Sequence, residues 1–146
     1  GDGFTLTMTR EFSATPDVVF DALVDPVQVA TWFGPKGYQA SSVDFAPREG
    51  FRYRIELEPP EGDRFHIGGV VSRADRPTVL EFSFVYEEPS RDDVETRVQL
   101  ALSGVAGSTE VRLTQGPFKT EDRRALHHTG WSESFDKLEA VAAEPE

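Results

Sequence analysis

The sequence contains no cysteine. That excludes a disulfide framework, a thiol nucleophile and a thiolate metal site, and it suits a reducing compartment. Long apolar runs are missing too: none approaches the roughly 20 residues a membrane-spanning helix requires, and no signal peptide is visible. Positive charge is scarce, with 15 lysines and arginines against 26 aspartates and glutamates and a formal net charge of -11. This balance speaks against nucleic acid and anionic membrane surfaces as partners. Together these absences lead to the expectation of a cytoplasmic protein. The start at Gly1-Asp2-Gly3, without methionine, is what a trimmed amino terminus would leave. No internal repeat, low-complexity segment or linker interrupts the chain. Its 146 residues fit one domain, 1–146, long enough to bury about two thirds of the unfolded surface.

What is present is organised around one long segment, Thr120 to Ala143. Steps of three and four from His128 give Trp131, Phe135, Leu138 and Ala142, an apolar stripe at the helical period, while Glu133, Asp136, Lys137 and Glu139 fall elsewhere. Thr120 is placed to cap this amphipathic helix, with Glu121 and Asp122 in its positive first turn. Arg123 stands where a capping box would need Glu or Gln. At about 1.5 Å per residue the helix would span about 36 Å, enough to cross a small sheet. Gly130 is costly inside it, by about 1 kcal/mol relative to alanine, so something must gain from the missing side chain.

The rest alternates at the period of strands. Phe4, Leu6, Met8 and Phe12 share one side of a first strand, and Arg10 falls in phase with them. Thr15-Pro16-Asp17 opens a short helix with Val18, Val19, Ala22 and Leu23 on its apolar face. Asp25-Pro26 breaks it, and a second short helix, Val27 to Trp32, is closed by Phe33-Gly34-Pro35. Six strands follow at hairpin spacing. Gln39 to Phe45 is the first, and Phe51, Tyr53, Ile55 and Leu57 alternate with charged residues in the second. Phe65, Ile67, Gly69 and Val71 are in phase, as are Leu80, Phe82, Phe84 and Tyr86. Val94, Thr96, Val98, Leu100 and Leu102 then precede Thr109, Val111 and Leu113. Such regular polar faces predict one meandering antiparallel sheet, wet on one side, with the long helix on its dry side. The fold class is α+β, in the order β-α-α-β6-α with about seven strands.

Residues 9–16, Thr-Arg-Glu-Phe-Ser-Ala-Thr-Pro, are followed by Val19-Phe20-Asp21-Ala22-Leu23, Asp25-Pro26 and Trp32-Phe33-Gly34-Pro35. Glu49-Gly50, Pro77 with Leu80-Glu81-Phe82, Ser108-Thr109-Glu110-Val111, and His127 with Gly130-Trp131 come after them in order. This ordered set, covering nearly the whole chain, resembles the proteins named for the activator of heat-shock-protein-90 ATPase. The resemblance implies the START-like helix-grip fold of the SRPBCC superfamily, a curved sheet gripping the carboxyl-terminal helix around an apolar cavity. The sequence departs from the family at Glu49, where many members have a second glycine, and at Gln115, where many have histidine.

Signatures of chemistry are few. His66 falls on the polar phase of its strand, and His127 and His128 are adjacent, so no histidine pair has the i, i+4 spacing of a helical metal site. His127 is read as a helix residue bonded to a loop carbonyl rather than as a catalytic group. There is no Gly-x-Ser-x-Gly elbow, and neither Gly68-Gly69 nor residues 104–107 have phosphate-loop spacing. No catalytic residue, metal or organic cofactor is therefore expected. Arg10 either reaches water at a strand end or orients a polar group of a ligand, because a buried charge demands a partner.

The aromatic residues carry the functional expectation. Phe51, Tyr53, Phe65, Phe82, Phe84, Tyr86, Trp131 and Phe135 point by phase into one interior, which core packing alone would largely explain. A cavity is favoured by Gly69 and Gly130, which remove volume from facing elements, and by tyrosine and tryptophan tips that could aim at a ligand. The candidate ligand-binding set adds Arg10, Trp32, Ile55, Ile67 and His127 to Tyr53, Phe65, Phe82, Phe84, Tyr86, Gly130, Trp131 and Phe135. With the resemblance, the expected function is binding of a small apolar or aromatic molecule between sheet and helix. Two alternatives remain open. One is an enzyme similar to polyketide cyclases and aromatases, using the same cavity. The other is a module that stimulates a chaperone ATPase, ranked last because one domain fills these residues while the eukaryotic activators carry an added amino-terminal domain. A monomer and a homodimer are both compatible with the sequence.

Overall fold

The computed structural model describes residues 4–142. The order is β1 (Phe4–Phe12), α1 (Pro16–Val24), α2 (Pro26–Trp32), β2 (Gln39–Asp44), β3 (Arg52–Glu58), β4 (Phe65–Asp75), β5 (Val79–Tyr86), β6 (Thr96–Val105), β7 (Ser108–Phe118) and α3 (Glu121–Ala142). Ala143, expected at the end of the long helix, lies outside the described residues, as do Gly1-Asp2-Gly3. The strands form one seven-stranded antiparallel sheet in the order β1-β7-β6-β5-β4-β3-β2. Strands two to seven meander, and the α1–α2 pair carries the chain from one edge, β1, to the other, β2. This is the helix-grip arrangement that the sequence led us to expect: α3 runs along the dry face of the sheet.

Local chemistry sets the short elements. Pro16 sits in the first turn of α1, where its missing N–H costs nothing, and Thr15 occupies the cap position without a side-chain hydrogen bond. Asp25 ends α1 and also caps α2, accepting the Val27 N–H at 3.1 Å through Oδ1 and the Gln28 amide at 3.1 Å through Oδ2. The Asp25-Pro26 break expected from proline geometry is thus a shared cap. α3 begins as the sequence indicates, with Thr120 Oγ1 accepting the Arg123 N–H at 3.1 Å.

Three phase assignments need correction. Val18 is 38% exposed, and Phe20 and Val24 take its place in the buried face of α1. Val94 is 44% exposed because β6 begins only at Thr96. On α3 the inward stripe runs through His127, Trp131, Ser134, Phe135, Leu138 and Ala142, while His128 faces solvent. Trp131 fixes this rotation, and four residues back from it is His127.

The core joins α1, α2 and α3 to the sheet. Phe12, Phe20, Phe135, Leu100, Leu113 and Leu138 are fully buried, and Phe12 meets Phe135 edge-to-face at 5.6 Å. α3 lies close to β1 and β7 and stands off from β3, β4 and β5. Arg10 secures the close side. Its Nη1 donates to Asp136 at 3.0 Å and Glu139 at 2.7 Å, and its Nη2 reaches the Ser132 carbonyl at 3.3 Å. The guanidinium therefore clamps β1 to the helix, and the acceptors it meets are those of α3.

Gly69 serves close packing and not an open space. A Cβ at this position would stand 2.1 Å from the Ser83 carbonyl oxygen. Tyr53, paired with Gly69 across β3 and β4, donates its hydroxyl to that same carbonyl at 2.8 Å. Gly69→Ala is expected to break this junction of β4 and β5. Its melting temperature should fall well below that of the parent, and an unchanged value would contradict the assignment.

Candidate functional site

Where α3 stands away from β3–β5, a cavity of about 480 Å³ opens. Leu57, Phe65, Ile67, Phe84 and Tyr86 form its sheet wall, and His127, Gly130, Trp131 and Ser134 form its helix wall. Phe33, Gly34, Pro35 and Tyr38 close a third side. That loop is tied to α3 by three bonds: Gly34 N–H to Ser134 Oγ at 3.1 Å, Lys36 N–H to Glu133 at 3.0 Å, and Lys137 Nζ to the Pro35 carbonyl at 3.3 Å. The lip is polar, with Glu88, Asp93, Arg123 and Glu133, and carries the exposed Leu126. Arg123 and Asp93 approach to 3.5 Å, joining α3 to the loop between β5 and β6.

Gly130 has the space that Gly69 lacks. A Cβ there would meet only Pro35 Cγ at 3.6 Å, an ordinary contact. The glycine widens the gap between helix and loop, and the helix-propensity penalty is set against that room.

Most polar tips are already engaged. Trp131 donates its indole N–H to Gln115 Oε1 at 2.7 Å, and Gln115 Nε2 donates to Thr96 Oγ1 at 2.8 Å, all three residues being buried. Trp32 donates to the Ala22 carbonyl at 2.7 Å, and Tyr53 to that of Ser83. These tips hold the fold together and do not address a ligand. Two tyrosine tips differ: the half-buried Tyr38 on the loop wall makes no side-chain hydrogen bond among the described residues, and Tyr86 Oη lies 3.3 Å from His127 Nε2 on the cavity wall. His127 is packed against Phe118 at 4.8 Å and Phe84 at 5.5 Å, and its partner is this hydroxyl and not the expected loop carbonyl.

Of the thirteen candidate residues, the cavity gathers Phe65, Ile67, Phe84, Tyr86, His127, Gly130 and Trp131. Trp32, Tyr53, Ile55 and Phe82 instead surround a void of only about 20 Å³, deeper between α2 and the sheet, which Trp131 also touches. Phe135 is core and Arg10 is the clamp, and neither lines these two spaces. Phe33, Tyr38, Leu57, Arg123 and Ser134 also line the cavity, outside the candidate set. Leu57 was in phase with Tyr53 and Ile55, and Ser134 follows Gly130 by four residues, so both had a signal. Phe33 and Tyr38 lie in a loop without periodicity.

On the outer face, His66 Nδ1 lies 2.8 Å from Glu88 and Nε2 3.0 Å from Glu56, both carboxylates accepting, and Arg54 donates to Glu87 at 2.7 Å. His66, Glu87 and Glu88 are close enough to share an ion. Arg54 and the histidine's own ion pairs already satisfy these carboxylates.

The two histidines are driven in opposite directions. Burial lowers His127 to about 4, with Arg123 adding to the shift and Asp93 opposing it. Hydrogen bonding to Glu88, and then to Glu56, raises His66. An unfolded histidine titrates near about 6.5. His127 therefore favours folding fully above that value, and its contribution is lost as pH falls from about 6.5 to about 4. His66 stabilises below about 6.5, and its contribution is lost as pH rises through its raised folded value. Imidazole NMR should show the two titrating on opposite sides of about 6.5. A His127 that titrates at or above it would contradict the buried placement.

The model of the family described as activator of Hsp90 ATPase homolog 1-like protein matches residues 13–143. No curated protein sequence matches significantly. Among solved structures, a protein from Chromobacterium violaceum superposes with a TM-score of 0.89 at 19% identity, covering 97% of this chain and 98% of its own. The AHSA1 protein of Silicibacter pomeroyi gives 0.84 at 24% identity, covering 96% and 98%. A protein from Rhodobacter sphaeroides gives 0.82 at 28% identity, covering 100% and 98%. The fold, the ordered motifs and the span of this match agree: the chain belongs to the activator of Hsp90 ATPase homolog 1-like family.

Proposed function

We propose that the protein binds a small, largely apolar molecule in the space between α3 and β3–β5. The observation that carries this reading is the cavity itself, about 480 Å³, beside a helical glycine that leaves it open. Small-molecule sites commonly measure about 300–1,000 Å³, are mostly apolar and hold a few polar groups. This one has six aromatic side chains besides His127, and Tyr86 with His127 as its interior polar pair.

A cyclase-like reaction in the same space is the second reading, and that pair is what favours it. A general acid or base works best with a pKa near the operating pH. Burial lowers His127 to about 4 and raises Tyr86 above the ordinary phenol range, so both are displaced from neutrality. Binding is therefore preferred to catalysis. Stimulation of a chaperone ATPase draws on the family description alone.

Gly130→Leu tests the reading. Leucine is a better helix former by nearly 1 kcal/mol, and there is room for its first carbon. Stability should hold or rise while affinity for naphthalene, measured by calorimetry, falls sharply. As a control, Trp131→Ala should cost about 3–5 kcal/mol by removing a large buried ring. A destabilised Gly130→Leu, together with a parent that binds no naphthalene, would show that the glycine serves packing and that the cavity holds nothing.

A further inference from the structure

We propose that the cavity selects an uncharged aromatic molecule bearing a hydroxyl group, which bridges Tyr86 and His127, and that it rejects the carboxylate counterpart. The inference rests on the binding reading above and adds the chemical class of the ligand. Its basis is the contrast between polar groups that are engaged and the pair that is only loosely so.

The indole of Trp131 and the hydroxyl of Ser134 also line the cavity, but each has a partner in the protein, Gln115 at 2.7 Å and the Gly34 N–H at 3.1 Å. Tyr86 and His127 have only one another there, at 3.3 Å, beyond the usual length for a hydrogen bond from a hydroxyl. Between them they offer one acceptor and one donor, whichever ring nitrogen carries the proton. A hydroxyl, itself donor and acceptor, can enter between the two and satisfy both. The surrounding walls favour a flat ring system, since Phe65, Phe84 and Trp131 present aromatic surfaces to the same space.

Charge completes the selection. The pair is neutral around pH 7, because burial disfavours both imidazolium and phenolate. A carboxylate placed beside it would lose its hydration without gaining a counterion. Nor does the lip supply one: Arg123 is paired with Asp93, and Glu88 and Glu133 flank the entrance.

The test compares naphthalene, 2-naphthol and 2-naphthoate at pH 7, with affinities read by titration calorimetry. In the parent, 2-naphthol should bind roughly fivefold more tightly than naphthalene, the worth of one net hydrogen bond. 2-Naphthoate should be weaker than 2-naphthol by roughly tenfold or more. The double variant Tyr86→Phe/His127→Phe keeps the aromatic walls. It should lose the preference for 2-naphthol, read as the ratio of the 2-naphthol and naphthalene affinities within the variant. If no compound binds the parent, this inference and the binding reading both fall. If naphthalene binds but 2-naphthoate equals 2-naphthol, or the double variant keeps the preference, the binding reading stands and the inference is overturned.

Discussion

An indole N–H inside an apolar core must find an acceptor, and for Trp131 that acceptor is Gln115. The bond is 2.7 Å long, and Gln115 continues it to Thr96 on the neighbouring strand. Leaving such a buried donor unpaired would cost about 1–3 kcal/mol, so the contact sets both the rotation and the position of α3. With Trp131 turned toward β7, His127 is brought inward and His128 is turned out. The Arg10 clamp onto Asp136 and Glu139 holds the following turns against β1. Drawn down at β1 and β7, the helix stands off from β3–β5, reaching β5 through His127 beside Phe84 and Tyr86, and the cavity is the space that remains.

That space keeps its shape because its third wall is also fixed. Residues 34–36 are bonded to Ser134, Glu133 and Lys137, three successive attachments on one side of the helix. Gly130 faces Pro35 across the gap, where a larger side chain would intrude. The arrangement separates duties among the polar groups. Trp32, Tyr53 and Trp131 bind the framework to itself, and the Tyr86–His127 pair is left facing the interior.

The fold was legible because it depends on periodicity. Alternation in seven segments and a 3.6-residue stripe in an eighth give the antiparallel sheet and the long helix, and the Thr120 cap is found as expected. Periodicity says which face a residue shares and not what waits opposite, which makes the site less legible than the fold. Arg10 was correctly placed on the dry face, but only the tertiary fold brings Asp136 and Glu139 over it. Gly69 and Gly130 look alike in sequence, yet one lies 2.1 Å from a carbonyl oxygen when given a Cβ and the other meets only Pro35. The stripe was begun at His128 because Leu138, Phe135 and Trp131 leave either histidine within reach of the pattern. Gln115 did carry a usable signal: in phase with Thr109, Val111 and Leu113, it had to be a buried amide in search of a partner.

Family membership and architecture do not by themselves say what a protein does, since this fold hosts unrelated activities. The central claim is therefore local: an apolar molecule enters between α3 and β3–β5. Titrating naphthalene into isotope-labelled protein and following backbone amides by NMR tests it most directly. The account predicts saturable shifts concentrated in residues 33–38, 65–67, 84–86 and 123–134, with the β1–β7 pair little affected. Shifts that never saturate, or that centre on the β1–β7 side where the helix is already seated, would contradict it.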